Sequence, residues 1–251
     1  MKSITLITLA LSFTACASKN TPTPEQYDDT AQAIASTTAT GGGGGDVSSM
    51  SDSVTIAQGA MPTGFTLSGD GHFRGTRLGV DYSYAITCKT ATGAVGLCGP
   101  ATDQASVQVA WSGTLDTTNV NASVTRNGSW SITGLLSDTA TFNGDSTFSF
   151  DATLHSVFRP GVTATYSFDA SASYDAIKIA TAQRQVIGGT ASFDLAAHAT
   201  VTGAGSNNVD KSFDVHAEIT FHADHTADLV LDASRHYSLN LTTGAVVHVG
   251  Q

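Results

Sequence analysis

From about Thr63 onward the apolar positions of this chain recur every second residue. In the segment LGVDYSYAITC, Leu78, Val80, Tyr82, Tyr84, Ile86 and Cys88 fall on one face, and Asp81, Ser83 and Thr87 on the other. Ala105, Val107, Val109 and Trp111 alternate with Ser106, Gln108 and Ser112 in the next segment. The same period carries Phe148, Phe150, Ala152 and Leu154, then Ala164, Tyr166 and Phe168, and later Phe213, Val215, Ala217, Ile219 and Phe221. Successive side chains of a strand point to opposite faces, so this alternation predicts half-buried strands. Asn127-Gly128 and Asn143-Gly144 read as hairpin turns, and a Thr-Gly turn joins the last two segments. The prediction is an all-β antiparallel meander of roughly ten to twelve strands, a curved sheet that is barrel-like or sandwich-like.

Before residue 63 the pattern differs. Thr23-Pro24-Glu25-Gln26 has the form of an N-cap, a proline at the first helical position and a capping-box glutamine, which predicts a helix to about Thr38. Asp46 is placed to cap a second helix with Val47, Met50 and Val54 on one stripe. Between them runs Gly41 to Gly45, a flexible composition. Isolated helices this short are marginal in water. The expected organisation is therefore a signal peptide over 1–15, a low-complexity tether with short helices over 16–62, and one β domain over 63–251.

The first sixteen residues, MKSITLITLALSFTAC, show a basic residue, an apolar run and small residues before a cysteine. That order is a secretory signal, and its apolar run is too short to span a bilayer core of ~30 Å. Phe13-Thr14-Ala15-Cys16 resembles the lipobox of bacterial lipoproteins, with Phe13 where leucine is usual. The resemblance implies lipidation of Cys16, which becomes the mature N-terminus. With Ala17 rather than aspartate next, it also implies retention at the outer membrane, the body lying in the periplasm or at the cell surface. Several acyl chains, each contributing about 0.8 kcal/mol per buried CH₂, make a stable anchor. A membrane-spanning barrel is disfavoured, because such an anchor would be redundant and no aromatic girdles appear at strand ends. With Cys16 set aside, Cys88 and Cys98 remain as a pair that an oxidising compartment would close into a disulfide.

Charge narrows the partners. The chain carries 11 basic and 21 acidic residues and only 13% charged residues in all. No basic cluster exists to release counterions from phosphate, which argues against nucleic acid. Envelope protein, glycan or lipid remain as partners. No nucleophile-elbow, zincin, dinucleotide or phosphate-loop motif occurs, and no cofactor is implied.

The residues that draw attention are histidines. Seven of eight lie from residue 155 onward. On the strand KSFDVHAEITFHA, His216, Glu218 and His222 share the polar face, and His155 and His198 fall on the polar faces of other strands. Imidazoles and carboxylates at such spacing could converge on zinc or copper, or could be solvated surface residues. Trp111 and Trp130 are expected in the core, and Asp116, Asp138 and Asp145 in turns. The leading expectation is an envelope lipoprotein with a non-catalytic structural or binding domain. A carrier of an apolar, lipid-like ligand, with aromatics such as Phe148, Tyr166 and Phe213 lining a cavity, is one alternative. A metal-binding or hydrolytic enzyme without a recognisable motif is another.

Overall fold

A computed structural model describes residues 21–42, 45–202 and 209–250; Cys16 and the signal segment lie outside them. Two helices, α1 (Pro24–Thr38) and α2 (Asp46–Ala57), precede a single antiparallel sheet. Its strands are β1 (Phe65–Leu67), β2 (Phe73–Arg77), β3 (Val80–Thr90), β4 (Val95–Gly96), β5 (Thr102–Asp116), β6 (Val120–Thr133), β7 (Thr139–His155), β8 (Thr163–Ala180), β9 (Gln185–Thr202), β10 (Val209–Phe221), β11 (Thr226–Leu231), β12 (Arg235–Asn240) and β13 (Val246–His248). Each strand pairs with its sequence neighbour, except that β3 pairs both β5 and the two-residue β4. The sheet is curved and does not close.

The period-two pattern becomes one buried face and one polar face. In β6 the burial alternates from Val120 to Arg126, and in β7 from Thr147 to His155. Trp111 and Trp130 are buried in the core, as expected. Cys88 and Cys98 form a disulfide with a Cα–Cα separation of 5.2 Å, tying β3 to the segment after β4.

Two expected turns are corrected. Asn127-Gly128 lies inside β6 and Asn143-Gly144 inside β7. Both glycines serve packing. A Cβ at Gly128 would lie 2.9 Å from Nε1 of Trp130 and 3.0 Å from a methyl of Val109, so the missing side chain is the slot that holds the indole. At Gly144 the β7–β8 register shifts, and a Cβ would collide with the carbonyl oxygen of Ser129. Glycine within a strand here marks close approach and a bulge. Of the turn aspartates, Asp138 lies between β6 and β7, whereas Asp116 ends β5 and Asp145 sits within β7.

The helices form where the capping signals place them. The side chain of Thr23 accepts from the Gln26 amide, and the Gln26 side chain accepts from the Thr23 amide, completing the capping box. Asp46, however, is the first residue of α2, and its N-cap is Gly45. The helices are not a spacer. Ala31, Ile34, Met50, Val54 and Ile56 are at most 2% exposed and belong to one core cluster with the inner face of the sheet. The tether expected to run to residue 62 is thus corrected: from Pro24 the chain is part of the body. The sheet curls far enough for the β7–β8 loop to meet the other end of the meander. Phe158 of that loop lies 5.9 Å from Tyr237 of β12, ring to ring.

Polar ties fix the helices. Asp46 pairs with Arg126, which β6 points into the core between Trp111 and Phe148. The Tyr174 hydroxyl donates to Asp46 at 2.8 Å. The Arg126 guanidinium lies 5.0 Å from the Phe148 ring and 5.5 Å from Trp111, a cation held by ring faces. Asp52 accepts from Arg77 at 2.8 and 3.0 Å, and Asp29 accepts from Arg159 at 2.7 and 2.6 Å. Tyr166 and Thr30 share a 2.6 Å hydrogen bond. Burial raises the pKa of Asp29 and of Asp52, with Arg159 and Arg77 respectively pulling the other way.

Removing one member of a buried pair leaves the other charge without compensation, at a cost of about 3–5 kcal/mol. Asp46→Leu and Arg126→Met are each expected to lower urea-unfolding stability by that order. The double variant should recover most of the loss, since an apolar replacement of both partners is often near neutral. Losses in the double variant equal to the sum of the singles would refute the pairing.

Candidate functional site

The helices leave the outer face of the sheet uncovered, and alternation decides what stands there. From β5 to β10 its residues are mostly short, with serine, threonine, asparagine and aspartate prevailing. In one row Ser83, Ala110, Asn127, Thr147, Ser171, Asp194 and His216 are successive cross-strand partners. The next row holds Ala85, Gln108, Ser129, Asp145, Ser173 and Ser192. Between the two rows runs an open groove of about 600 Å³ that extends from His72 to Asp194. The floor of such a groove is strand backbone, because the intervening side chains point inward. A second groove, of about 500 Å³, is lined by Asp151, Asp169, His198 and Asp214. Short hydroxyl, amide and carboxylate groups here offer hydrogen bonds, and Gln108 already donates to Ser129 at 2.8 Å.

His155, His198, His216 and His222 are spread over this face, each with its own partner. His216 Nδ1 lies 2.8 Å from Asp194 and Nε2 lies 3.6 Å from Glu218. His198 is 3.2 Å from Asp210, and His222 is 3.0 Å from Asp228. His155 meets Thr163 at 3.3 Å on the β7–β8 pair. Among the described residues, no three histidine, cysteine or carboxylate side chains come together as a metal-binding group. Sequence alternation placed these side chains on the polar face. It could not supply the register that sets Asp194 directly opposite His216.

The aromatic residues expected to line a carrier's cavity are packed instead. Phe148, Phe150, Tyr166, Phe168 and Phe213 are each at most 4% exposed, in the same cluster as Tyr27 and Ile34 of α1 and Met50 of α2. Phe158 is only partly buried, on the loop after β7. Sequence reading missed Arg126. Its position in the inward register of β6 was the available signal, since an arginine among Val120, Ala122 and Val124 on one face calls for a buried partner.

The hydrogen bond that His216 donates to Asp194 raises the pKa of His216, with desolvation opposing and Glu218 adding to the rise. A histidine with a raised folded-state pKa binds its proton more tightly when folded. Its contribution is complete below the unfolded value, ~6.5, and is lost as pH rises through the folded value. Unfolding free energy is expected to fall as pH rises above ~6.5 and through the folded value, and His216→Gln should flatten this slope. The side chain is 46% exposed, so solvent screening keeps the effect below about 1 kcal/mol. An unchanged slope in the variant would remove the assignment.

No family model, no curated protein and no solved structure matches this chain, so its functional reading rests on its own residues.

Proposed function

We propose that this chain is an exported lipoprotein of the outer envelope, held by lipid on Cys16, whose β body is a non-catalytic binding or structural module. The observation that carries the reading is the segment Phe13-Thr14-Ala15-Cys16 at the end of a signal-like apolar run. Two further features support it. The Cys88–Cys98 disulfide suits an oxidising compartment outside the cytoplasm. The broad outer face, with its grooves and short hydrogen-bonding side chains, is left free by helices that occupy the inner face. No helix of the described residues is long and apolar enough to cross a membrane, which says nothing of strands. An acyl anchor supplies the membrane attachment in this reading, and the outer face meets an envelope protein, glycan or lipid.

Mass spectrometry of the N-terminal peptide from membranes of the native cell tests the anchor. The expected product begins at Cys16 and carries acyl mass; Cys16→Ser loses that mass and moves from the detergent phase to the aqueous phase on partitioning. A peptide that retains Met1 and no acyl group would overturn the reading. For the binding role, a photo-crosslinking residue at Asn127, within the groove, is expected to yield a discrete adduct in intact cells, absent when placed at Leu136. Identical adduct patterns at the two positions would count against the outer face as the contact.

A further inference from the structure

The first turn of α1 is where the described body meets the segment that bears Cys16. Three other pieces of the fold converge on it. The Tyr27 hydroxyl donates to Asp232 in the β11–β12 turn at 2.7 Å. Asp28 accepts from the Tyr237 hydroxyl at 2.9 Å and lies 3.1 Å from Nε2 of His248 in β13. Asp29 holds Arg159 of the β7–β8 loop. Glu25 lies in the field of both Arg159 and Arg235. In the same place the Phe158 ring packs 4.8 Å from that of His248. The neighbours of these two rings in the chain, Val157 and Val249, are turned out to solvent, 42% and 49% exposed.

The other end of the strands is far away. The β6–β7 turn carries Leu136, 54% exposed, and its Asp138 carbonyl accepts from the Thr181 amide after β8. α2 ends there as well, where the Gln58 side chain donates to the Thr181 carbonyl. β7 joins the two ends through 17 residues, a span of about 50 Å. The disulfide lies toward this far end too, since the Gly99 amide donates to Ala57 of α2 at 3.1 Å. Exposed Leu67 and Leu97 stand beside Cys98 there, and Val95, also exposed, is two residues before Leu97.

We infer that the end of the body around the start of α1 rests on a lipid bilayer, with Val157 and Val249 at the headgroup level, and that the disulfide end projects away. The inference rests on lipidation of Cys16. From Cys16 to Thr23 is seven residues, and at ~3.3–3.6 Å each the segment reaches about 25 Å when fully extended. That tether keeps the start of α1 within about 25 Å of the headgroups, and a body standing on this end holds the opposite surface ~50 Å above them. Arg159 is taken up by Asp29, and Glu25, Asp28 and Asp232 stand at the same end, so the contact is made by the exposed valines and the anchor rather than by charge. The apolar group at Leu97 is thereby presented away from the membrane.

The test uses the full lipidated protein in vesicles of phosphatidylethanolamine and phosphatidylglycerol. An environment-sensitive fluorophore is placed on Val157→Cys, Val249→Cys or Leu136→Cys, one at a time, with the native disulfide intact. Lipids bearing a shallow spin-label quencher are expected to quench the label at 157 and 249 and leave that at 136 unchanged. Hydrogen exchange of the unsubstituted protein should slow at 156–161 and 247–249 on vesicle binding, without slowing at 134–138. Equal quenching at all three positions, or quenching at 136 alone, would overturn the inference while the acyl mass on Cys16 leaves the lipoprotein reading standing. Absence of that acyl mass would overturn both.

Discussion

The carboxylate of Asp46 meets the guanidinium of Arg126 inside the curl of the sheet, and the placement of the helices follows from contacts of this kind. An open sheet with one apolar face must cover that face, because exposed apolar surface costs roughly 25 cal/mol per Å². This sheet does not close on itself, so something else has to fill it. α1 and α2 do so with few large apolar side chains: Tyr27, Ile34, Met50, Val54 and Ile56 carry most of the bulk, and alanine, serine and threonine the rest. Small residues let the helix backbones approach the aromatic inner face. They also leave the helices without enough shape to fix their rotation, and the carboxylates supply that.

Three acids act at three separated points. Asp29 reaches Arg159 on the β7–β8 loop, Asp46 reaches Arg126 on β6, and Asp52 reaches Arg77 on β2. A helix turned by one residue, about 100°, would withdraw each carboxylate from its partner and leave a buried acid without compensation. Buried pairs contribute little net stability against apolar replacements of the same volume. Their consequence is geometric: one rotation and one depth for each helix. The Tyr166–Thr30 and Tyr174–Asp46 hydrogen bonds act in the same sense, tying long tyrosines of β8 to both helices.

What the sequence revealed and what it hid divide along the same line. Alternation in β3 to β10 was legible because burial on one face is a local property of each strand. The capping box of α1 was legible because its partners are three residues apart. The docking of the helices was not, since Asp46 and Arg126 are distant in the chain and an acidic first turn reads as solvent-facing. The Asn-Gly pairs misled for a related reason. Gly128 answers to the Trp130 indole beside it and Gly144 to a bulge against β6, and both needs arise only once strands are paired. On the outer face the histidines were placed by alternation, while their carboxylate partners on neighbouring strands depended on a register that no short-range pattern sets.

An open sheet keeps two edges, and exposed edges invite pairing with other chains. Here both ends of the meander taper: β1 and β13 have three residues each, against 17 and 18 in β7 and β8. The tapered edges offer little backbone for a strand to add to, and the net charge of -10 repels like copies. With the inner face filled and the edges shortened, the broad outer face remains the largest surface free for contact. Its short side chains keep the strand backbone near that surface, so a partner seated in the grooves would be read by hydroxyls, amides and carboxylates, and by shape, rather than by aromatic stacking.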